Sequence, residues 1–316
     1  MPTLEAERSE RVVVVRVSNP PHNFMDRGMV AELDRLTRSL SRDRTVGSVV
    51  ITGGPEGLFV THYDVAEILA GVEDVGVAPG PRAAGVLLAA AAAIRRVPGL
   101  RDLAERTPVR GLLELHRMHD VLGRMNAMDK VVIAAINGPA TGGGCELALA
   151  CDLRLMADSS PHIGLPEMTL GFNPGAGGTQ RLTRLIGPGR ALEAMLEGRT
   201  FTPQEALEAG LVHRVVPSAD LLGAATETAE RLARRSPGSV RALKAAVYRG
   251  GGEPLRSGLA EERRQFMAAG GSPEALLAMA AFVEEVSERG GSPWADRDWI
   301  VRWQQGTAVD LNQGDG

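Results

Sequence analysis

This chain has no excess of charge, no long apolar run and almost no cysteine, and each shortage removes a class of protein. Lys and Arg number 35 against 39 Asp and Glu in 316 residues, a formal net charge of -4. No basic field therefore argues for nucleic acid or an anionic membrane as partner. The longest apolar run, Ala83 to Ile94, is about half of the roughly 20 residues that cross a bilayer. Met1 to Arg11 is acidic and polar and has no apolar core, so it does not read as a secretory leader. The cysteines, Cys145 and Cys151, share one apolar segment, and they read as small apolar side chains in a reducing cytoplasm. His116 and His119 lie on one helical face at i, i+3 without a third ligand or H-E-x-x-H. A solvated helix surface is the expectation there, and no metal.

Missing motifs narrow the chemistry further. Gly138 to Gly144 lacks the Lys-Ser/Thr of a phosphate-binding loop, and Gly175 to Gly178 lacks G-x-G-x-x-G spacing. No G-x-S-x-G occurs, which removes the usual serine-hydrolase elbow.

What is there suits a globular protein with a sizeable core: 44% of residues are hydrophobic and 23% charged. The β-branched runs Arg11 to Val17 and Gly47 to Thr52 read as buried strands, with an amphipathic helix at Met29 to Leu40 between them. Further strands are expected at Lys130 to Ile136, Leu153 to Met156 and His162 to Leu165, with a helix at Thr179 to Ile186. Such alternation implies an α/β core. After Pro217 the chain becomes Ala-, Arg- and Glu-rich, with helical patterns at Ala219 to Arg235, Val240 to Arg249, Leu255 to Ala269 and Pro273 to Arg289. The three tryptophans, Trp294, Trp299 and Trp303, all fall in the tail, which is expected to dock on the subunit or across an interface.

One stretch is far more specific than any glycine cluster. It runs Asn137-Gly-Pro-Ala-Thr-Gly-Gly-Gly-Cys-Glu-Leu-Ala-Leu-Ala-Cys-Asp152, then Gly164-Leu-Pro-Glu-Met-Thr-Leu-Gly-Phe-Asn-Pro-Gly-Ala-Gly-Gly-Thr-Gln-Arg-Leu182. It closely resembles the signature of the crotonase (enoyl-CoA hydratase/isomerase) family, and the resemblance covers roughly Val12 to Gly250. It implies an α/β fold, a crotonase-like spiral of ββα turns with a helical C-terminal subdomain. The corresponding division is a core at 1–217, carrying an insertion at about 70–128, and a helical subdomain and tail at 218–316. It also implies an acyl-CoA thioester as partner, with coenzyme A as part of the substrate and no separate cofactor. A homotrimer or dimer of trimers in the cytoplasm is expected, with no membrane and no nucleic acid.

The resemblance maps roles onto residues. Hydration of an α,β-unsaturated thioester develops negative charge on the thioester oxygen, and two preorganised N–H donors stabilise it. Gly143 and Tyr63 are the implied donors, through their backbones. The helix opened by Gly175 to Gly178 would add its positive end to the same charge. Glu146 is implied as the base that deprotonates water and Glu167 as the acid that protonates Cα, with pKa values set apart. Thr61, His62, Asp64, Gly142 and Gly175 are implied contacts of substrate or CoA.

The chain departs from the family's pattern at Thr61-His62-Tyr63-Asp64, where small residues and Gly-Ala-Asp are usual. His62 stands in the place of a glycine, and histidine tolerates a left-handed backbone. The family's Lys-Arg-containing ending has no counterpart at Phe282 to Arg289. A double-bond isomerase needs only one carboxylate, so both glutamates favour the hydratase. Other crotonase chemistries usually alter one of the two positions. A non-catalytic CoA-thioester-binding relative is the alternative from another class, should Thr61 to Tyr63 spoil the donor pair.

Overall fold

Valine-rich runs build the central sheet. The computed structural model describes residues 2–75, 79–107, 109–159 and 162–312. Met1, positions 76–78 and 108 of the expected insertion, positions 160–161 and the tail's end at 313–316 lie outside the described residues. β1 (Thr3–Ser9), β2 (Val12–Ser18), β3 (Ser48–Gly53), β4 (Val131–Ile136), β6 (Leu153–Ala157) and β9 (Arg214–Val216) lie side by side in that order. β1 runs antiparallel to β2 and every later pair is parallel, with Val12 opposite Ser48 and Ser48 opposite Val131. A second sheet joins β5 (Ala140–Thr141), β7 (Ile163–Gly164) and β8 (Thr200–Phe201).

Parallel strands covered on both faces read as continuous apolar runs, and alternation then sorts them into two cores. Val13, Val15, Val17, Val49, Ile51, Val132, Ala134, Ile136 and Met156 face one cluster. Val12, Val50, Ile133, Ala135, Leu155 and Ala157 face the other. The first face is covered by α1 (Arg27–Arg42), through Met29, Val30, Leu33 and Leu40. After β3 come α2 (Val65–Val75), α3 (Pro81–Ile94), α4 (Pro98–Ala104) and α5 (Arg110–Ala127). α5 adds Met118, Val121, Leu122 and Met125 to the same face. α6 (Gly143–Ala150) is buried along its whole length. α7 (Gly178–Ile186), α8 (Pro188–Glu197) and α9 (Pro203–Glu208) follow, the last opened by a Thr202–Glu205 capping box. α10 (Leu221–Ala233) lays Leu221, Ala225, Ala229 and Ala233 on the second face.

β1 escapes a pattern search because it is an edge strand, exposed at every position but Leu4. The apolar run at Ala83 to Ile94 forms α3, which buries only Ala91 of its own length. α3 is fastened to α5 by His116 Nε2–H donating to Leu88 O at 2.9 Å and by an Arg95–Asp120 ion pair. His116 is thus half-buried and bonded, against the expectation of a solvated face, because the helices before α5 fold back over it. Among the described residues no single helix is long and apolar enough to cross a membrane.

α11 (Pro237–Tyr248) is pinned to the core by Lys244, whose buried ammonium donates to Met125 O, Lys130 O and Asp152 Oδ2 at 2.8, 2.8 and 2.7 Å. α12 (Leu255–Gly270) and α13 (Pro273–Arg289) bury no residue and expose Leu255, Phe266, Met267 and Val283. The tail, with α14 (Arg297–Gln304), docks within the subunit. Trp299 is buried under Arg289, Trp303 packs edge-on to Phe282 and donates to Glu285 Oε2 at 2.9 Å, and Trp294 stays exposed.

Candidate active site

The glycine loop decides where α6 begins. Gly142 caps the helix at φ 50°, a left-handed conformation that favours glycine, and its N–H donates to Gly164 O at 3.0 Å. At Gly144 a Cβ would fall 1.7 Å from Val60 O, so only glycine lets α6 press on the extended segment at residues 60–63. That segment is held from its other side. Met25 N–H donates to His62 O at 2.8 Å and Asp64 N–H to Met25 O at 2.7 Å, a parallel bridge centred on Tyr63. Such a bridge uses the groups flanking Tyr63 and turns the Tyr63 N–H away from Met25. A Cβ placed on Gly143 would lie 3.3 Å from that nitrogen. The Tyr63 and Gly143 amides thus border one small space, and neither has an acceptor among the described residues.

Glu146 sits in the first turn of α6 and is buried. Its Oε1 accepts from Ala176 N–H at 2.7 Å and Gly178 N–H at 2.8 Å. Gly177, at φ 101°, bends the loop so that both amides meet one oxygen. The head of α7 therefore holds Glu146, and this corrects the expectation that it serves the thioester oxygen. Burial pushes Glu146 up to about 7, and the two backbone donors restrain the rise. Glu167 opens the turn at Glu167–Leu170, is buried, and has a carboxyl oxygen, Oε2, with no hydrogen-bond partner among the described residues. Burial raises its pKa also.

Both glutamates line a cavity of about 650 Å³ together with Tyr63, Gly142, Gly143, Gly175 and His62. Thr61 and Asp64 are not among its lining residues. Thr61 O accepts from Thr141 N–H and Oγ1–H, both at 2.7 Å, and Asp64 Oδ1 accepts from Ala66 N–H at 2.9 Å. Thr61 thus ties the segment to β5, and Asp64 bonds the start of α2. His62 does not adopt a left-handed backbone; among the described non-glycine residues positive φ occurs at Glu10 and Asn23. The bridge to Met25 keeps His62 extended, and its ring stacks on Phe24 at 4.2 Å and donates to Tyr63 O at 2.7 Å.

Other residues here have no motif to announce them. His119 Nε2–H donates to Gly175 O at 2.8 Å, steadying the loop that holds Glu146. Arg181 donates to Ala176 O and Asn126 Oδ1, both at 3.1 Å, and its charge favours ionised Glu146. Arg27, Glu67 and Glu114 line the cavity as well. Cys145 and Cys151 are free and buried. Among the described residues no three His, Cys, Asp or Glu group to hold a metal ion.

Two buried carboxylates and two amides that lack an acceptor among the described residues, gathered at one apolar cavity, define an enzyme. The chain belongs to the enoyl-CoA hydratase/isomerase family, whose model matches residues 104–294. It is 31% identical to the short-chain-enoyl-CoA hydratase of Clostridium acetobutylicum, over 88% of this chain and 94% of that protein. It is 35% identical to a probable mitochondrial enoyl-CoA hydratase of Dictyostelium discoideum, over 90% and 88%. The crystal structure of an enoyl-CoA hydratase from Bacillus anthracis matches with TM-score 0.71 at 31% identity, over 89% of this chain and 96% of that one. The fold is accordingly of the crotonase type, with a helical C-terminal region.

Proposed function

We propose that this enzyme adds water across the double bond of a trans-2-enoyl-CoA thioester. The observation that carries the reading is the pairing of buried Glu146 and Glu167 on the cavity that the Tyr63 and Gly143 amides also border. Ionised Glu146 takes a proton from water as the water oxygen bonds to Cβ. The electron pair moves to the thioester oxygen, where the two amides stabilise the enolate. Protonated Glu167 then delivers its proton to Cα, and exchange with solvent resets the pair. An isomerase needs only one of these carboxylates, so the hydratase is the better match. A steady-state assay with trans-2-enoyl-CoA esters of several chain lengths tests it; no hydration at any length would overturn it.

Acidity follows from burial. Because Glu146 works as the carboxylate and titrates near 7, kcat/KM is expected to fall about tenfold per unit as pH drops below that value. Glu167 works protonated, so a second limb is expected as pH rises, and the two apparent values belong to the pair. An acid limb lying near 4.5 in the pH–rate profile would refute the upward shift that burial imposes on Glu146.

We also propose a homotrimer or a dimer of trimers in the cytoplasm, with coenzyme A entering only as part of the substrate. Support comes from α12 and α13, which have no fully buried residue and expose Phe266 and Met267 at 73% and 72%. Two free thiols accord with a reducing compartment. Light scattering at micromolar concentration is expected to give three or six times the mass of one chain; the monomer mass would refute it.

A further inference from the structure

The loop that grips Glu146 is itself gripped, and the two grips share one peptide unit. Ala176 N–H donates to Glu146 Oε1 at 2.7 Å, while the carbonyl of the same unit, Gly175 O, accepts from His119 Nε2–H at 2.8 Å. No backbone amide among the described residues donates to Gly175 O, so its donor is a side chain. The next unit is held as well: Arg181 donates to Ala176 O and to Asn126 Oδ1, both at 3.1 Å. His119 and Asn126 stand on α5 about two turns apart, on one face of the helix. Leu115, one turn before His119, lies against the same loop, 4.0 Å from where a Cβ on Gly175 would stand. His119 itself is exposed, is not among the residues that line the cavity, and belongs to no part of the signature.

A planar peptide passes on what is done to either end. A donor on the carbonyl oxygen draws electron density through the C–N bond, polarises the N–H and makes it a stronger donor in turn. We propose that His119 is a positioning residue for the base: its bond to Gly175 O fixes the plane of the Gly175–Ala176 peptide and strengthens the Ala176 amide that steadies Glu146 as the carboxylate. This rests on the hydratase reading, in which Glu146 takes the proton from water. The two backbone donors restrain the upward push of burial on Glu146, so weakening one of them moves its titration further up. The other groups that face Glu146 are Cys145 on its own helix, Glu167 on the turn after β7 and Arg181 on α7. A change at position 119 replaces none of these.

The test compares His119→Leu and His119→Gln with the wild type in two ways. One is the pH profile of kcat/KM on a trans-2-enoyl-CoA ester. The other is an infrared titration of the protonated Glu146 carboxyl, taken as the difference between each protein and its Glu146→Gln counterpart. In His119→Leu the acid limb and the infrared midpoint are both expected to rise by about half a pH unit, the scale on which one hydrogen bond strengthens the next. Affinity for a saturated acyl-CoA is expected to stay within a few-fold, and Tm close to the wild type's, because His119 is exposed. Glutamine offers an Nε2–H at similar reach and carries no charge, so His119→Gln is expected to return both midpoints most of the way. A loss of kcat in His119→Leu with no movement of the infrared midpoint would make His119 a mere support and overturn the proposal. A shift that glutamine does not reverse would overturn it too, since the bond would then not be its cause. The infrared titration needs no turnover: a midpoint that moves as expected in a protein that hydrates no enoyl-CoA would sink the hydratase reading and leave the hold of His119 on Glu146 standing.

Discussion

Glu146→Gln is expected to lower kcat for enoyl-CoA hydration by roughly 10²- to 10⁴-fold, and Glu167→Gln by a similar factor, the usual range for a lost proton-transfer group. Each change removes a proton carrier and leaves the cavity's shape intact. Glutamine at 146 still offers a carbonyl oxygen to Ala176 and Gly178 N–H, so the loop at the head of α7 keeps its anchor. Affinity for a saturated acyl-CoA is therefore expected to stay within a few-fold, while kcat and kcat/KM fall together. Because the two carboxylates act in one sequence, the double variant should be little worse than the poorer single one. Near-normal turnover in either single variant would take that residue out of the mechanism.

The same change carries a stability signature. Glu146 titrates near 7 in the fold against an ordinary 4.5, so between those values the folded chain holds more protons than the unfolded one. Stability from this group is thus lost as pH rises through that window, reaching roughly 3 kcal/mol above it. Glu146→Gln abolishes the loss. Its Tm at pH 8 is expected to equal or exceed the wild type's, with the gap closing toward pH 4.5. A variant both inactive and markedly less stable at pH 8 would mean that the carboxylate is structural.

Much of this fold was legible because its strands are valine-rich and its helices periodic. Runs such as Val12 to Val17 and Val131 to Ile136 have no other plausible place than a sheet covered on both faces. β1 was not legible, since an edge strand need bury nothing. At the site, Glu146 and Glu167 stood out through the signature around them. The loop's purpose did not: that Ala176 and Gly178 amides hold a side chain 30 and 32 residues earlier is a fact of long-range geometry. The family's glycine position also misled at His62, where a parallel bridge to Met25 sets the backbone and the residue type does not. Arg27, Glu67 and Glu114 come from α1, α2 and α5, and only folding brings them to one wall.

Gly143→Ala is expected to cost about 10²- to 10³-fold in kcat, the scale of losing one donor to a developing oxyanion. The new methyl would stand 3.3 Å from the Tyr63 nitrogen and 3.2 Å from Tyr63 Cβ, within the space the two amides border. Neither neighbour yields easily, since the bridge to Met25 holds the Tyr63 backbone and α6 is buried from end to end. The methyl therefore takes the place of the thioester oxygen and leaves both glutamates untouched. Tyr63→Phe provides the contrast. Burial first, then the Glu67 and Glu114 carboxylates, push its phenol well up, which makes it a poor proton donor. Its hydroxyl also points to Glu67, one side chain away from the amide. Tyr63→Phe is accordingly expected to keep kcat within a few-fold on an unsubstituted enoyl-CoA, because its backbone N–H is unchanged. A hundredfold loss in Tyr63→Phe would make the phenol a reactant. A fully active Gly143→Ala would move the oxyanion away from these two amides, and with it the argument that α6 begins where it does in order to present them.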